Sequence, residues 1–242
     1  MKHPKLSIVV PCYNEAQNIP IILNRFEKCL LNNDFELILV NDGSKDGSSA
    51  VFTAEMAARK HPQIRVVDYE KNKGYGGAIM TGLREAKGEY LSWTHADSQT
   101  DPMDIERGFE IFQYSKNPKK LFVKGTRVGR KLGDVLFTFG MSAIATVVLL
   151  KPLFDVNAQP KMFHRSFFER VEKKAPSDFS LDLYFLYLAK KFGLKVKSFP
   201  VLFLDRRFGE SAWAFSFSSK FKTICRTIKY IFALRTAVRT IK

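Results

Sequence analysis

Acidic residues disappear from the end of this sequence: Ser216 to Lys242 holds no aspartate or glutamate, while seven lysines and arginines fall there. Cysteine is nearly as scarce. Cys12, Cys29 and Cys225 are an odd number without metal-ligand spacing, which excludes a disulfide framework or a zinc site and suits a reducing compartment. No apolar run reaches the roughly 20 residues of a membrane span. The longest, Val135 to Leu150, is interrupted by Thr138, Gly140, Ser142 and Thr146 and ends at Lys151-Pro152, so a buried or interfacial helix is expected. The residues before the first strand-like run, Met1 to Lys5, are too few for a signal peptide, so the folded part is expected to be cytoplasmic. Repeats and low-complexity linkers are absent too.

What the chain has in excess is positive charge: 39 Lys and Arg against 24 Asp and Glu, a net +15, pointing to anionic partners. Nucleic acid, phosphorylated substrates and anionic lipid all satisfy that. Nucleic acid is disfavoured because the basic residues concentrate in a tail with no base-reading module. With 242 residues and 45% hydrophobic content, the chain can bury one large core.

The first half alternates strand-like runs, Leu6 to Val10, Glu36 to Val40, Ile64 to Val67 and Tyr90 to Trp93, with helical patterns near Ile19 to Leu31, Gly47 to Lys60 and Gly76 to Lys87. That alternation predicts a mostly parallel sheet with helices on both faces, where ligands bind beyond the carboxyl ends of the strands. Polar clusters occupy those positions: Pro11 to Glu15, Asn41 to Ser44, and His95 to Gln99. Further on, Lys120 to Lys124 and Lys195 to Phe199 read as strands, and Ser180 to Phe192 as a helix stopped by Gly193.

Each cluster has a bland alternative. Ser44 and Asp46 serve equally as caps of the following helix, whereas Asp42 sits where a base or ribose would be hydrogen-bonded. Glu15 faces the same choice. Gly74, Gly76 and Gly77 open a helix whose backbone amides would approach a ligand closely, but their order is not a dinucleotide fingerprint.

As a set, "SIVVPCYNE", "LVNDGSKDGS", "NKGYGGAIMTGLREAKGEYLSWTHADSQTDP" and "RRFGES" resemble the inverting glycosyltransferases of family 2, in the branch of the polyprenyl-phosphate glycosyltransferases. The resemblance runs over roughly residues 5 to 212. It implies an α/β GT-A fold, a Rossmann-like mostly parallel sheet, and a nucleotide-diphosphate sugar donor. By position, Pro11, Tyr13 and Glu15 would line the nucleoside pocket and Asp42 would meet the base or ribose. The metal motif falls on His95, Asp97 and Gln99, for Mn²⁺ or Mg²⁺. Arg127 and Arg206 match phosphate-contacting positions, the latter in an Arg-x-x-Gly-x-Ser element ending at Ser211. Gln159 and Lys161, in "NAQPKMFHR", are candidate contacts to the acceptor or to phosphate.

Two departures stand out. His95 replaces the first Asp of the metal motif, and Ala212-Trp213 stands where lysine is usual. A lipid-phosphate acceptor is already an anion and needs no strong base; a hydroxyl acceptor needs one, and Asp182 is then the candidate. Three functions therefore compete: transfer to a polyprenyl phosphate at the membrane, transfer to a hydroxyl of a glycan or glycolipid in cell-envelope polysaccharide synthesis, and nucleotide-sugar binding without catalysis. The expected organisation is a GT-A domain over residues 1–213, with a donor half to about 115 and an acceptor half beyond it. A basic amphipathic segment, 214–242, follows. In that segment Phe217, Phe221, Ile224, Ile228 and Ile231 form an apolar stripe opposite Lys222, Arg226 and Lys229, the pattern of a helix lying on an anionic membrane surface.

Overall fold

A computed structural model describes residues 3–31, 33–204 and 217–237, with side chains at all of these except 137, 217–223 and 237. Seven strands form one sheet in the order β3-β2-β1-β4-β6-β5-β7. The four strands of the first half, β1 (Leu6–Cys12), β2 (Phe35–Asp42), β3 (Ile64–Tyr69) and β4 (Tyr90–Trp93), are mutually parallel. Between them run α1 (Ile19–Leu30), α2 (Ser48–Arg59) and α3 (Gly74–Glu85), followed by α4 (Met103–Gln113). These elements lie where hydrophobic periodicity predicts them, α4 excepted.

Alternation along the strands divides the core in two. Ile8 and Val10 face α1, α2 and α4, where Ile22, Phe26, Phe52 and Phe109 are buried. Val9, Ile38 and Val40 face the opposite layer, built by α3, α5 (Leu132–Leu149), α6 (Arg165–Val171), α7 (Leu181–Lys191) and α8 (Phe217–Ala237). An aromatic stack anchors this second layer: the Phe185 ring lies 5.1 Å from Trp93 and 5.2 Å from Phe163, and Phe163 lies 5.7 Å from Phe122.

The second half departs from the parallel pattern. Strand β6 (Lys161–His164) runs antiparallel between β4 and β5 (Leu121–Val128), and β7 (Lys195–Leu202) closes the edge parallel to β5. Neither β6 nor α6 is legible from periodicity, because all four residues of β6 are buried and its first is a lysine.

Two apolar helices lie side by side: Ile231 and Leu234 of α8 enter the core against α5, while Ile224 and Ile228 are half-buried. Helix α5 begins at Leu132, three residues before its predicted start, and leaves Leu132, Leu136, Phe139 and Val147 more than 60% exposed. Among the described residues it is the one helix long and apolar enough to cross a membrane, by length and composition only, and just 24% of it is buried.

Candidate active site

The sequence-predicted donor residues lie on three loops at the carboxyl ends of β1, β2 and β4. The first two are laced together. Ser44 Oγ accepts from the Asn14 amide at 2.9 Å, and Asn14 Oδ1 accepts from the Lys45 amide at 2.8 Å. Ser48 Oγ accepts from the Glu15 amide at 3.2 Å, and Asp46 Oδ2 from the Ala16 amide at 3.0 Å. Ser44 and Asp46, readable as helix caps, thus also fix the neighbouring loop that carries Tyr13 and Glu15.

A side-chain relay joins the third loop. Asn18 Nδ2 donates to Glu15 at 2.5 Å, while Asn18 Oδ1 faces Ser98 Oγ at 3.5 Å, next to Asp97. Asn14 and Ser98 both hold left-handed φ angles, 55° and 59°. Such strain in non-glycine residues costs on the order of 1 kcal/mol or more and persists where surrounding contacts impose it. Asn18, invisible as a site residue because no motif position marks it, is the hinge of this relay.

Asp42 and Asp97 are both buried, at 3% and 4% exposure, while Pro11 and Glu15 are half-buried and Tyr13 is exposed. Asp42 Oδ1 accepts from the Lys73 amide at 2.7 Å, tying β2 to the start of α3. The glycines there serve a neighbour rather than a visible ligand seat. A Cβ on Gly76 would meet the carbonyls of Pro176 and Asp178 at 2.7 Å, and Gly77 donates to Ser177 at 2.9 Å.

At the tip of β4, Asp97 Oδ1 accepts from the Gln99 amide at 3.2 Å. Gln99 Nε2 donates to the Leu204 carbonyl at 2.8 Å, and Leu204 returns a bond to the Gln99 carbonyl at 3.0 Å. Gln99 therefore ties the cluster to the chain leaving β7. No group of three His, Cys, Asp or Glu side chains with metal-binding geometry occurs among the described residues. Asp97 and His95 suit a hard cation only if a diphosphate and water supply most of its oxygen ligands. Burial lowers the His95 pKa, outweighing the opposing pull of Asp97 and Asp182, so the ring favours its neutral, ligating form.

A second polar cluster lies on β5, β6 and α7. Asp182 and Lys161 are both buried, and Lys161 Nζ donates to Asp182 Oδ1 at 2.5 Å. Gln159 Nε2 donates to the same oxygen at 2.8 Å and Tyr75 Oη to the other at 3.1 Å. Lys161 is thus not the solvated surface lysine that its residue type suggests. Burial lowers its pKa while Asp182 opposes the fall. Arg127 donates from its backbone amide and its Nε to Asp155 at 2.8 and 2.9 Å, with Nη2 in the same ion pair, and Arg130 lies 3.5 Å from that carboxylate. Burial alone would raise the Asp155 pKa; the Arg127 hydrogen bonds and charge hold it below the usual carboxylate value. Asp155, which has no motif around it, escapes sequence reading. Arg206, Gly209 and Ser211 lie outside the described residues, as does Trp213.

A match to Glycosyl transferase family 2 covers residues 7–171. The chain belongs to this family. It is 25% identical over 213 residues to a dolichyl-phosphate beta-glucosyltransferase of Dictyostelium discoideum, covering 81% of this chain and 65% of that protein. To an undecaprenyl-phosphate 4-deoxy-4-formamido-L-arabinose transferase of Photorhabdus laumondii it is 27% identical over 215 residues, covering 87% and 63%. This family 2 chain thus spans a little under two thirds of the length of those curated relatives. The fold matches solved structures at lower identity: glucosyl-3-phosphoglycerate synthase from Mycobacterium tuberculosis in complex with Mn²⁺, UDP and glucosyl-3-phosphoglycerate (TM-score 0.73, 16% identity, 96% of this chain and 80% of that one). The mannosyltransferase PcManGT of Pyrobaculum calidifontis, in complex with GDP-Man and Mn²⁺, aligns at TM-score 0.66 and 19% identity over 98% and 74%. The GT-A expectation holds.

Proposed function

We propose that this family 2 chain is an inverting glycosyltransferase that moves a sugar from a nucleotide-diphosphate donor to a polyprenyl phosphate at a membrane surface. One observation carries the choice of acceptor: the strand bearing Arg127 leads through Arg130 directly into α5, whose Leu132, Leu136 and Phe139 are exposed. A cationic seat adjoining an apolar outer face suits an acceptor whose head is a phosphate and whose tail stays in lipid. Exposed basic residues of α8, Arg226, Lys229 and Arg235, add attraction to an anionic surface. A peripheral place on the cytoplasmic side of the membrane follows from the same reading.

In this account Pro11, Tyr13, Glu15 and Asp42 receive the nucleoside, and Asp97 with His95 would hold a divalent cation. Bound there, Mn²⁺ or Mg²⁺ would offset negative charge on the departing diphosphate. Gln99 keeps Asp97 in place. The acceptor phosphate oxygen attacks the anomeric carbon from the face opposite the leaving group, forming one C–O bond as the other breaks. Because the attacking oxygen is already anionic, no proton has to be removed. Arg127, Lys161 and Gln159 orient the acceptor, with Arg206 and Ser211 assigned to phosphate by their motif alone.

Transfer to a hydroxyl is the weaker reading. It needs a free carboxylate base, and Asp182 instead accepts hydrogen bonds from Lys161, Gln159 and Tyr75. Incubating the full chain with membranes and a panel of labelled nucleotide sugars, followed by lipid extraction, tests the proposal. Label in an acid-labile lipid phosphate supports it; label only in polysaccharide favours a hydroxyl acceptor, and donor binding without transfer favours a non-catalytic protein.

A further inference from the structure

Lys124 interrupts the apolar run of β5, and the sheet register sets it directly opposite Lys161 on β6. Directly opposed residues on antiparallel strands point to the same face, and like charges so placed repel. Both lysines are buried, at 3% and 0% exposure. Lys161 has its carboxylate, Asp182; among the described residues Lys124 Nζ has the carbonyl of Gly125, at 2.6 Å, and no other hydrogen-bond partner.

Among the described residues the ion pairs around these lysines are uneven. Four basic side chains, Lys124, Lys161, Arg127 and Arg130, share two ion-paired carboxylates, Asp155 and Asp182. Asp155 is engaged by both arginines and Asp182 by Lys161. No carboxylate lies within ion-pair distance of Lys124 among the described residues. A buried ammonium without a counter-ion is destabilising, and a lysine in this position escapes that cost by losing its proton. Burial, with the added repulsion of Lys161 and Arg127, pulls the Lys124 pKa down to about 7, against the partial opposition of Asp155 and Asp182.

We propose that Lys124 is a phosphate-binding residue of the acceptor half, its amine held in reserve for an oxyanion seated among Lys124, Lys161 and Arg127. Its neutral fraction takes up a proton from solvent as that anion arrives. The side chain has only to leave the Gly125 carbonyl, and four single bonds give it the reach. This inference rests on the glycosyltransferase reading and adds a residue that no family motif marks. The oxyanion has two sources, the acceptor monophosphate or the diphosphate of the donor. Arg127 and Lys161 are shared by both, so a ligand-by-ligand test separates them.

The experiment is calorimetry on the full chain at pH 7.5 in two buffers of different ionisation enthalpy, with farnesyl phosphate and, separately, UDP and GDP with Mn²⁺ as titrants. Wild type is expected to take up a substantial fraction of a proton with farnesyl phosphate and little with the nucleotides. Lys124→Met should lose that uptake and bind farnesyl phosphate about tenfold more weakly, the scale of a lost charge-assisted hydrogen bond. Its melting temperature should equal or exceed that of wild type, because an unpaired buried amine has been removed. Proton uptake confined to the nucleotides would overturn assignment to the acceptor. Unchanged affinity and uptake in Lys124→Met would overturn the Lys124 inference alone, while failure of wild type to bind any of these ligands would overturn it together with the proposed function. A Lys124→Met protein that melts well below wild type would show a structural role instead.

Discussion

Asp182 and Lys161 form a buried ion pair at 2.5 Å, linking helix α7 to the first residue of β6. Removing one partner strands the other charge, so Asp182→Asn should cost about 3–5 kcal/mol of unfolding free energy. Lys161→Met combined with Asp182→Asn should recover much of that stability without recovering transfer, since Lys161 is assigned to the acceptor. Chemical denaturation and transfer assays on the single and double variants check this. If Asp182→Asn folds like wild type and loses transfer together with the acidic limb of the pH–rate profile, Asp182 is the general base and a hydroxyl acceptor gains ground.

Asp155 should behave differently with pH. Its pKa lies below the ordinary carboxylate value in the folded protein, so the stability it contributes is present above the unfolded value of about 3.9. That contribution is lost only as pH falls through the lower, folded value. Asp155→Asn should therefore cost about 1.5–3 kcal/mol, the scale of hydrogen bonds to charged groups. The gap to wild type should stay level from pH 8 to 5 and close only in stronger acid. Urea midpoints across that range provide the measurement; a gap that closes near pH 6 would contradict the assignment.

The outer face of α5 should carry membrane affinity. Leu136→Glu and Phe139→Glu place charge on side chains that are 62% and 64% exposed, so folding should be nearly unaffected. Co-sedimentation with vesicles containing anionic lipid should drop at least tenfold. Charge reversal at Arg226 and Lys229 should weaken binding less and in a salt-dependent way. Undiminished sedimentation of the α5 variants would move the contact elsewhere.

Gly125 should not tolerate a side chain. A Cβ there would run into the Gln159 carbonyl, a backbone atom that has no room to yield. Gly125→Ala should separate β5 from the segment leading into β6, weakening acceptor affinity more than donor affinity. Parallel titrations with farnesyl phosphate and with a nucleoside diphosphate distinguish the two.

The first half of the sheet was legible because its strands alternate with helices and its polar residues follow the strand ends, so Asp42 and Asp97 could be placed at those ends without coordinates. The second half was not. Its key strand is four residues long, buried on both faces and headed by a lysine, which gives no period to detect. Asp155 is engaged by Arg127, distant in sequence, and Lys124 is opposed by Lys161 only through the sheet register, although a lysine inside "LFVKG" was a visible irregularity. In the helices, apolar spacing shows that a face will be covered and says nothing about whether protein or lipid covers it: Ile231 and Leu234 of α8 pack into the core, while α5 leaves Leu132, Leu136 and Phe139 exposed.

Metal-dependent sugar transfer to a lipid phosphate is tested most directly by following labelled sugar into extractable lipid with wild type and Asp97→Ala side by side, with Mn²⁺ supplied and then chelated. Wild type should form an acid-labile lipid-linked sugar only with the metal present, and a folded Asp97→Ala protein should form none. Equal lipid labelling by wild type and Asp97→Ala, or none from wild type with any nucleotide sugar, would contradict the account.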